Sequence, residues 1–139
     1  AVLAPRVARA GKDAADTNSA AEIARRHREL MTEAQRMKAK AIASGDQAYG
    51  AIVVKDDRII GWGPSRVVVD RNPRAHAERV AIMDAQLKLS AVDLGGAILY
   101  STSHPCMMCE DAAATAGSES ARARTASAGI NRPNILWIM

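Results

Sequence analysis

Apolar residues recur at helical spacing in the first third of the chain. They form one stripe on a helix, and most charged residues lie outside it. The residues of the stripe are Ile23, Leu30, Met31, Ala34, Met37 and Ala41. Ser19 and Glu22 match a capping box, in which each side chain satisfies a free backbone N–H at a helix start. We therefore predict an amphipathic helix over residues 20–44, stopped by Gly45. His27 lies near the stripe and is expected to pack there rather than to bind a ligand.

Beyond Gly45, β-branched runs alternate with turn-forming residues. Residues 50–55 and 59–63 flank a short polar turn, which is a pattern that predicts a β-hairpin. Residues 64–70 fit either a third short strand or an extended loop.

The second half of the chain shows helical patterns between short apolar runs. Asn72-Pro73 suits a helix start. Helices are predicted over 74–88 and 106–116, strands over 97–100 and 135–138, and a loop or frayed helix over 117–127. The element order α-β-β-α-β-α-β predicts an α/β fold in which helices cover a mixed sheet.

Composition narrows the class of protein. The chain has 139 residues, 48% of them apolar, which suits one domain with a real core. No apolar run approaches the length of about 18 residues that a membrane span needs. Two cysteines exclude a disulfide scaffold. The net charge of +4 permits an anionic partner without requiring one.

The beginning of the chain is expected to be a leader. Residues 1–18 are rich in Ala, Asp and Gly, and we predict that they are disordered, before a single domain over 19–139. Ala8-Arg9-Ala10 fits the small-x-small pattern of a signal-peptidase site, but no long apolar segment precedes it. A cytoplasmic location is therefore favoured, with export after signal-peptide removal as the alternative.

Two short motifs carry the chemistry. One is His76-Ala77-Glu78 and the other is Pro105-Cys106-Met107-Met108-Cys109, each at a predicted helix start. Zinc binds imidazole nitrogen and thiolate sulfur in a tetrahedron, and a helix N-terminus stabilises thiolates. His76, Cys106 and Cys109 would supply three ligands and leave the fourth position for water, as catalytic zinc sites do. Glu78 would stand beside that water and move its proton.

Either motif alone has a less specific interpretation. A C-x-x-C pair can be a redox pair, although that pair usually follows the first strand of its fold. An isolated H-x-E triplet carries almost no information. H-x-E followed by P-C-x-x-C, with a strand between them, is the signature of zinc-dependent base deaminases.

The chain from about residue 20 to 139 resembles the cytidine/deoxycytidylate deaminase superfamily. Within it, the chain is most similar to bacterial guanine deaminases, tRNA adenosine deaminases and fungal-type cytosine deaminases. The segments that carry the resemblance are Tyr49–Val54, Ala75–Glu78, Leu99–Thr102 and Pro105–Cys109. The resemblance implies a three-layer α/β/α sandwich with a mixed sheet of four to five strands.

The resemblance also implies site roles. It implies one zinc ion per chain, held by His76, Cys106 and Cys109, with Glu78 as the proton shuttle. It implies that the backbone near Ala77 and Cys106 helps to hold the substrate. Members commonly form dimers, and the small residues Ala112, Ala113, Ala114 and Ala116 would let a second copy approach, so we expect a homodimer.

Several positions depart from the pattern of the family. Ser65 stands where an asparagine often binds the base, His104 where Glu or Ser is common, and Tyr49 where Phe is common. We expect all three to line the substrate pocket. Residues 128–132 match a family pattern, but only after the irregular stretch 117–127, and many relatives continue beyond the position of Met139.

Three functions remain open. The favoured one is a zinc-dependent hydrolytic deaminase of a small nucleobase or nucleoside of the guanine, cytosine or adenine type. The first alternative is a polynucleotide deaminase, which the basic pI near 9.4 and Arg25, Arg26, Arg28 and Arg36 favour weakly. Scarce aromatic residues argue against a broad stacking groove for such a substrate. The second alternative is a non-catalytic zinc protein of the same fold.

Overall fold

The elements alternate along the chain in the predicted order. The computed structural model describes residues 10–117 and 136–138, with side chains described for 19–117. The elements are α1 Ala10–Ala43, β1 Gly50–Lys55, β2 Arg58–Pro64, α2 Ala77–Leu89, β3 Ile98–Ser101, α3 Met107–Ala116 and β4 Leu136–Ile138. Within this part of the chain, no helix has the length and apolar character needed to cross a membrane.

Helix α1 begins earlier than the sequence pattern predicts. It starts at Ala10, so residues 10–18 continue the helix, and the expected disordered leader is wrong for them. Alanine has the best helix propensity, and residues 10–18 contain three alanines. The capping box at Ser19 therefore lies inside the helix. Residues 1–9, with most of the export motif, lie outside the described residues.

The sheet has the order β2-β1-β3-β4. Strand β1 is antiparallel to both β2 and β3, whereas β3 and β4 are parallel. The predicted hairpin is thus confirmed, and so is a mixed sheet of four strands in the described part of the chain. The predicted strand over 135–138 is present at Leu136–Ile138.

Helices cover both faces of the sheet. Because side chains alternate along a strand, neighbouring residues of β1 face opposite layers. Ile52 and Val54 pack with Leu30 and Ala34 of α1 on one face. On the other face, Ala51, Val53 and Leu99 pack with α2 and α3. This arrangement is the expected three-layer α/β/α sandwich.

His27 packs on the α1 face of the sheet, as expected. Its Nδ1 lies 2.6 Å from the hydroxyl oxygen of Tyr100, which is a buried residue of β3. The contact gives the phenol hydroxyl of this buried residue a hydrogen-bond partner.

Two glycines bring α2 unusually close to β2. A Cβ atom at Gly63 would overlap the carbonyl oxygen of Ala77, and one at Gly61 would overlap that of Ala81. Only glycine allows this approach without moving the helix. The close packing fixes the N-terminal end of α2, where the H-x-E motif lies.

The segment between β2 and α2 forms turns rather than a strand. Residues 67–71 form turns. Of the two predictions for residues 64–70, the loop is therefore correct and the third strand is not. Helix α2 begins at Ala77 rather than at residue 74, because Asn72 forms a turn in which its Oδ1 accepts from the Arg74 N–H at 2.9 Å. Of the predicted loop 117–127, residues 118–127 lie outside the described residues.

Candidate metal centre and adjoining pocket

The three predicted zinc ligands lie at the N-terminal ends of two helices. His76 immediately precedes α2, and Cys106 immediately precedes α3, both with extended backbone. Cys109 lies in the first turn of α3, where its N–H donates to the Cys106 carbonyl oxygen at 2.9 Å. Because α2 and α3 pack side by side on the same sheet face, the two motifs meet.

The donor atoms form a nearly equilateral triangle. His76 Nδ1 is 3.5 Å from the sulfur of Cys106 and 3.5 Å from that of Cys109. The two sulfurs are 3.3 Å apart, and both cysteines are free thiols. Tetrahedral zinc, with bonds of about 2.0–2.3 Å, separates its ligands by roughly 3.3–3.8 Å. The three residues therefore fit a zinc ion.

The electrostatics of the donor cluster also favour a cation. Burial raises the pKa of the Cys109 thiol above its ordinary range, and the nearby charge of Glu78 and the Cys106 thiol raise it further. At Cys109 these effects act against the stabilisation that a helix N-terminus gives a thiolate. A divalent cation bound beside Cys109 would favour its thiolate form.

Glu78 is held beside this cluster. Its side chain is buried, and its Oε2 lies 3.5 Å from the Cys109 sulfur. Its Oε1 accepts hydrogen bonds from the hydroxyls of Ser101 at 2.8 Å and Ser103 at 3.2 Å. Neither serine was predicted as a site residue from the sequence. The sequence feature that could have indicated them is a Ser-x-Ser spacing at the end of a predicted buried strand, just before Pro105.

A pocket with a volume of about 190 Å³ opens onto the donor cluster. Its lining includes Tyr49, Ala77, His104 and Cys106, four of the five positions expected to contact the substrate. The full lining is Gln47, Tyr49, His76, Ala77, Glu78, Ser103, His104 and Cys106. Gln47 was not anticipated, because it follows α1 in a loop that carries no motif.

Ser65 differs from the expectation, because it is not among the residues that line this pocket. It is 1% exposed, and its hydroxyl donates to Asp46 Oδ1 at 2.8 Å. Its N–H donates to the Tyr49 carbonyl oxygen at 3.1 Å. The short serine side chain is therefore used inside the protein, where it fastens the segment that carries Tyr49.

The fold and site together define a class: α/β sandwiches that hold zinc through one histidine and two cysteines beside a buried glutamate. Residues 24–123 match the family model described as the cytidine and deoxycytidylate deaminase zinc-binding region. The chain belongs to this family, and zinc is accordingly the metal that His76, Cys106 and Cys109 are suited to hold.

Relatives of known activity share parts of the chain. Guanine deaminase of Bacillus subtilis is 44% identical over 61 residues, covering 44% of this chain and 39% of that protein. The tRNA-specific adenosine deaminase of Aquifex aeolicus is 40% identical over 70 residues, covering 50% of this chain and 46% of the relative. The chain thus spans less than half of the length of these two relatives.

Solved structures show the same fold. The X-ray structure of the Bacillus subtilis guanine deaminase has a TM-score of 0.59 at 36% identity, covering 62% of this chain and 55% of that chain. A structure of a protein in complex with 2,6-diaminopurine has a TM-score of 0.60 at 32% identity. The match covers 63% of this chain and 50% of that chain.

Proposed function

We propose that this chain is a zinc-dependent hydrolytic deaminase that removes the exocyclic amine of a nucleobase or nucleoside and releases ammonia. One observation carries the proposal. The buried carboxylate of Glu78 lies 3.5 Å from a zinc-ligand sulfur, at the wall of a pocket of about 190 Å³. A carboxylate held there can exchange protons with a water and with a ring bound in the pocket.

His76, Cys106 and Cys109 would hold the zinc ion. When bound, the ion makes a coordinated water acidic enough to react near neutral pH. Glu78 takes a proton from the attacking water as the water oxygen bonds to the ring carbon that bears the amine. Glu78 gives this proton to the adjacent ring nitrogen. It then takes the second proton from the hydroxyl now bonded to that carbon and gives it to the departing amine, which leaves as ammonia while the hydroxyl oxygen becomes a carbonyl. One carboxylate serves each transfer because the transfers occur in sequence.

The remaining pocket residues are proposed to hold the base. The Ala77 backbone, Tyr49 and His104 would contact it directly, which their place in the pocket lining supports. Ser65 enters the proposal only indirectly, through its hydrogen bond to Asp46 next to Gln47. The backbone of Cys106 is a further proposed contact at the same helix start.

A small purine is the substrate class with the most support. Guanine deaminase is among the relatives, and one similar structure contains 2,6-diaminopurine. The tRNA-specific relatives and the basic pI near 9.4 favour the second candidate, a base within RNA. A purely structural zinc site has less support, because Glu78 is not a zinc ligand and yet is buried beside the donors.

An ammonia-release assay distinguishes these functions. Zinc-loaded protein is incubated with guanine, adenine, cytosine, their nucleosides, and an RNA stem-loop carrying a loop adenosine. Release from a free base or nucleoside supports the main proposal, and release from RNA alone supports the second candidate. Release from none of them, with zinc fully bound, contradicts the deaminase function.

We further propose that the protein acts as a homodimer. Met83 and Leu87 of α2 are 58% and 72% exposed, and grooves of about 340 and 440 Å³ meet at Met83. The small residues of α3 leave less surface for a second copy than the sequence predicts, because Ala113 and Ala116 are buried in the chain's own core. Light scattering after size exclusion tests the proposal, and a monomer with full activity at all concentrations contradicts it.

A cytoplasmic location completes the proposal. Its support is chemical: the cysteines must stay reduced to bind zinc, and reducing compartments maintain thiols.

A further inference from the structure

Two serines at the end of β3 hold one oxygen of Glu78. Ser101 is completely buried, and its hydroxyl donates to Glu78 Oε1 at 2.8 Å. The Ser103 hydroxyl donates to the same oxygen at 3.2 Å. A buried carboxylate oxygen needs donors of this kind, because leaving it unpaired costs roughly 1–3 kcal/mol or more.

The direction of the Ser101 hydroxyl is fixed by its other partner. The Ser103 backbone N–H donates to Ser101 Oγ at 3.3 Å. A serine hydroxyl has one proton and two lone pairs, so an oxygen that accepts from Ser103 directs its own proton elsewhere. The only acceptor that the described contacts offer to this proton is Glu78 Oε1.

The end of β3, which carries these serines, is held in place by hydrogen bonds to β1. Ser101 pairs with Ala51 in the ladder between β1 and β3. Just beyond it, the Thr102 N–H donates to the Gly50 carbonyl oxygen at 3.0 Å, and the Gly50 N–H donates to Thr102 Oγ1 at 3.0 Å. Donors built on a fixed strand end can hold a side chain in one geometry.

The two oxygens of the carboxylate therefore have different surroundings. Oε1 receives both serine hydroxyls, whereas Oε2 is turned toward the zinc ligands, 3.5 Å from the Cys109 sulfur. Rotation of the carboxylate would break two hydrogen bonds at once. The serines thus select the rotamer that presents Oε2 to the donor cluster.

We infer that Ser101 and Ser103 are positioning residues for the proton transfers of Glu78, an inference that rests on the proposed deaminase function. In this role they act through the carboxylate of Glu78, although Ser103 also lines the pocket. They lower the cost of reaching the reactive geometry, because the carboxylate does not have to be ordered when substrate binds.

The test uses four variants of the zinc-loaded full chain. Ser101→Ala and Ser103→Ala remove one hydroxyl each, and Ser101→Thr keeps the hydroxyl. Thr32→Ala is the matched control, because it removes a hydroxyl whose partner is the Arg28 carbonyl oxygen on the exposed surface of α1. Zinc content, the thermal midpoint, kcat and KM are measured, and the wild-type and Ser101→Ala proteins are crystallised with zinc.

We expect every variant to retain one zinc per chain. Ser101→Ala should lower kcat about 10–100-fold with KM within about threefold, as outer partners of metal sites do. Ser101→Thr should recover most of kcat. Ser103→Ala should have a smaller effect because its bond is longer, and Thr32→Ala should match the wild type. In the Ser101→Ala crystal structure, the Glu78 carboxylate should be rotated or disordered.

Two results overturn the inference: an unmoved Glu78 carboxylate in zinc-loaded Ser101→Ala, or an unchanged kcat in that variant. If Ser101→Ala does not fold, the same two measurements are made on Ser103→Ala: the position of the Glu78 carboxylate in the zinc-loaded crystal structure and kcat. An unmoved carboxylate or an unchanged kcat then overturns the inference. If the wild-type protein releases ammonia from no base, the proposed function fails, and the crystallographic comparison alone decides whether the serines position Glu78.

Discussion

Glu78 is an acidic side chain with only 3% of its surface exposed. A buried carboxylate is tolerated only with hydrogen-bond donors or a nearby cation. The protein provides the hydroxyls of Ser101 and Ser103 on one oxygen and a zinc site next to the other. The proposed role in proton transfer would explain why a carboxylate lies in this buried position.

The first prediction at this scale concerns Glu78→Gln. The amide keeps the shape and can still accept from the serine hydroxyls, but it cannot carry the proton. We expect one zinc per chain, as in the wild type, and a kcat at least about 100-fold lower, since acid–base groups contribute about 10²–10⁴-fold. Elemental analysis and the ammonia assay measure the two quantities. A Gln variant with wild-type kcat would show that another group moves the protons.

At the scale of elements, Asp46 ties the loop after α1, which lines the pocket, to the segment that follows β2. Its Oδ1 accepts from the Gln47 N–H and the Ser65 hydroxyl, and its Oδ2 accepts from the N–H groups of Val68 and Val69. The loop after α1 carries Gln47 into the pocket lining. Asp46 therefore holds one wall of the pocket against the turn that follows β2.

This arrangement predicts a pH dependence of stability. Burial acts to raise the pKa of Asp46, but the hydrogen bonds from Val69, Ser65, Gln47 and Val68 together hold it below the ordinary value of 3.8. A lowered folded-state pKa stabilises the fold above the unfolded pKa and loses that contribution as pH falls through the folded pKa. The contribution is therefore present at pH 5 to 7 and is lost below about pH 3.8.

Urea unfolding of wild type and Asp46→Asn across pH 2.5–7 measures this contribution, with the pH range chosen to bracket the carboxyl titration. We expect the wild type to be more stable at neutral pH and the difference between the two proteins to shrink in acid. Subtracting the two curves cancels the other carboxylates. A difference that stays constant down to the lowest pH would contradict the assignment.

The close packing of α2 against Gly63 of β2 leads to a second prediction at the scale of elements. Gly63→Ala forces a Cβ into the Ala77 carbonyl oxygen, next to the zinc ligand His76. We expect a loss of about 1–3 kcal/mol in the free energy of unfolding, together with weaker zinc binding, because the start of α2 must move. Urea unfolding and a competition titration against a zinc chelator measure the two effects.

Gly96→Ala is the control for this substitution. Gly96 has φ +80° and nothing near an added Cβ, so alanine there introduces backbone strain without overlap. We expect it to cost about 1 kcal/mol and to leave zinc affinity unchanged. Equal zinc affinities in the two variants would show that the contact at Gly63 does not set the position of His76.

For the whole molecule, zinc is expected to act as a clamp between two helices. Its ligands come from the start of α2 and the start of α3, which are 30 residues apart in the chain, from His76 to Cys106. A ligand that binds only the folded state stabilises it by mass action, by about 2.7 kcal/mol at a free concentration 100 times Kd. Removal of zinc should therefore lower the thermal midpoint.

Calorimetry of the metal-free and zinc-loaded protein tests the clamp. The midpoint should rise with free zinc concentration and return to the metal-free value when a chelator is added. Cys109→Ser is the control, and its midpoint should respond much less to zinc, because a hydroxyl is a poor zinc ligand. A wild-type midpoint that does not depend on zinc would contradict a clamp between α2 and α3.

The sequence by itself predicted the elements, the layers and the zinc ligands, because these depend on local patterns. Periodicity indicated α1 and β1, and the fixed spacing from Cys106 to Cys109 indicated a shared metal at a helix start. The two motifs together indicated His76 as a third ligand and Glu78 as the proton carrier, and the family resemblance implied the same roles. The exact start of α1 was not predictable, since helix propensity near Ala10 competed with a plausible capping signal.

Only the tertiary structure decided which polar groups meet. Ser101 and Ser103 contact Glu78 across more than 20 residues of chain, and Ser65 turns to Asp46 rather than into the pocket. Hydroxyl groups carry no periodic signal, and their partners depend on sheet register and on the depth at which a helix packs. Here Gly63 sets that depth at the start of α2, and the pairing of β1 with β3 sets the register at Ser101.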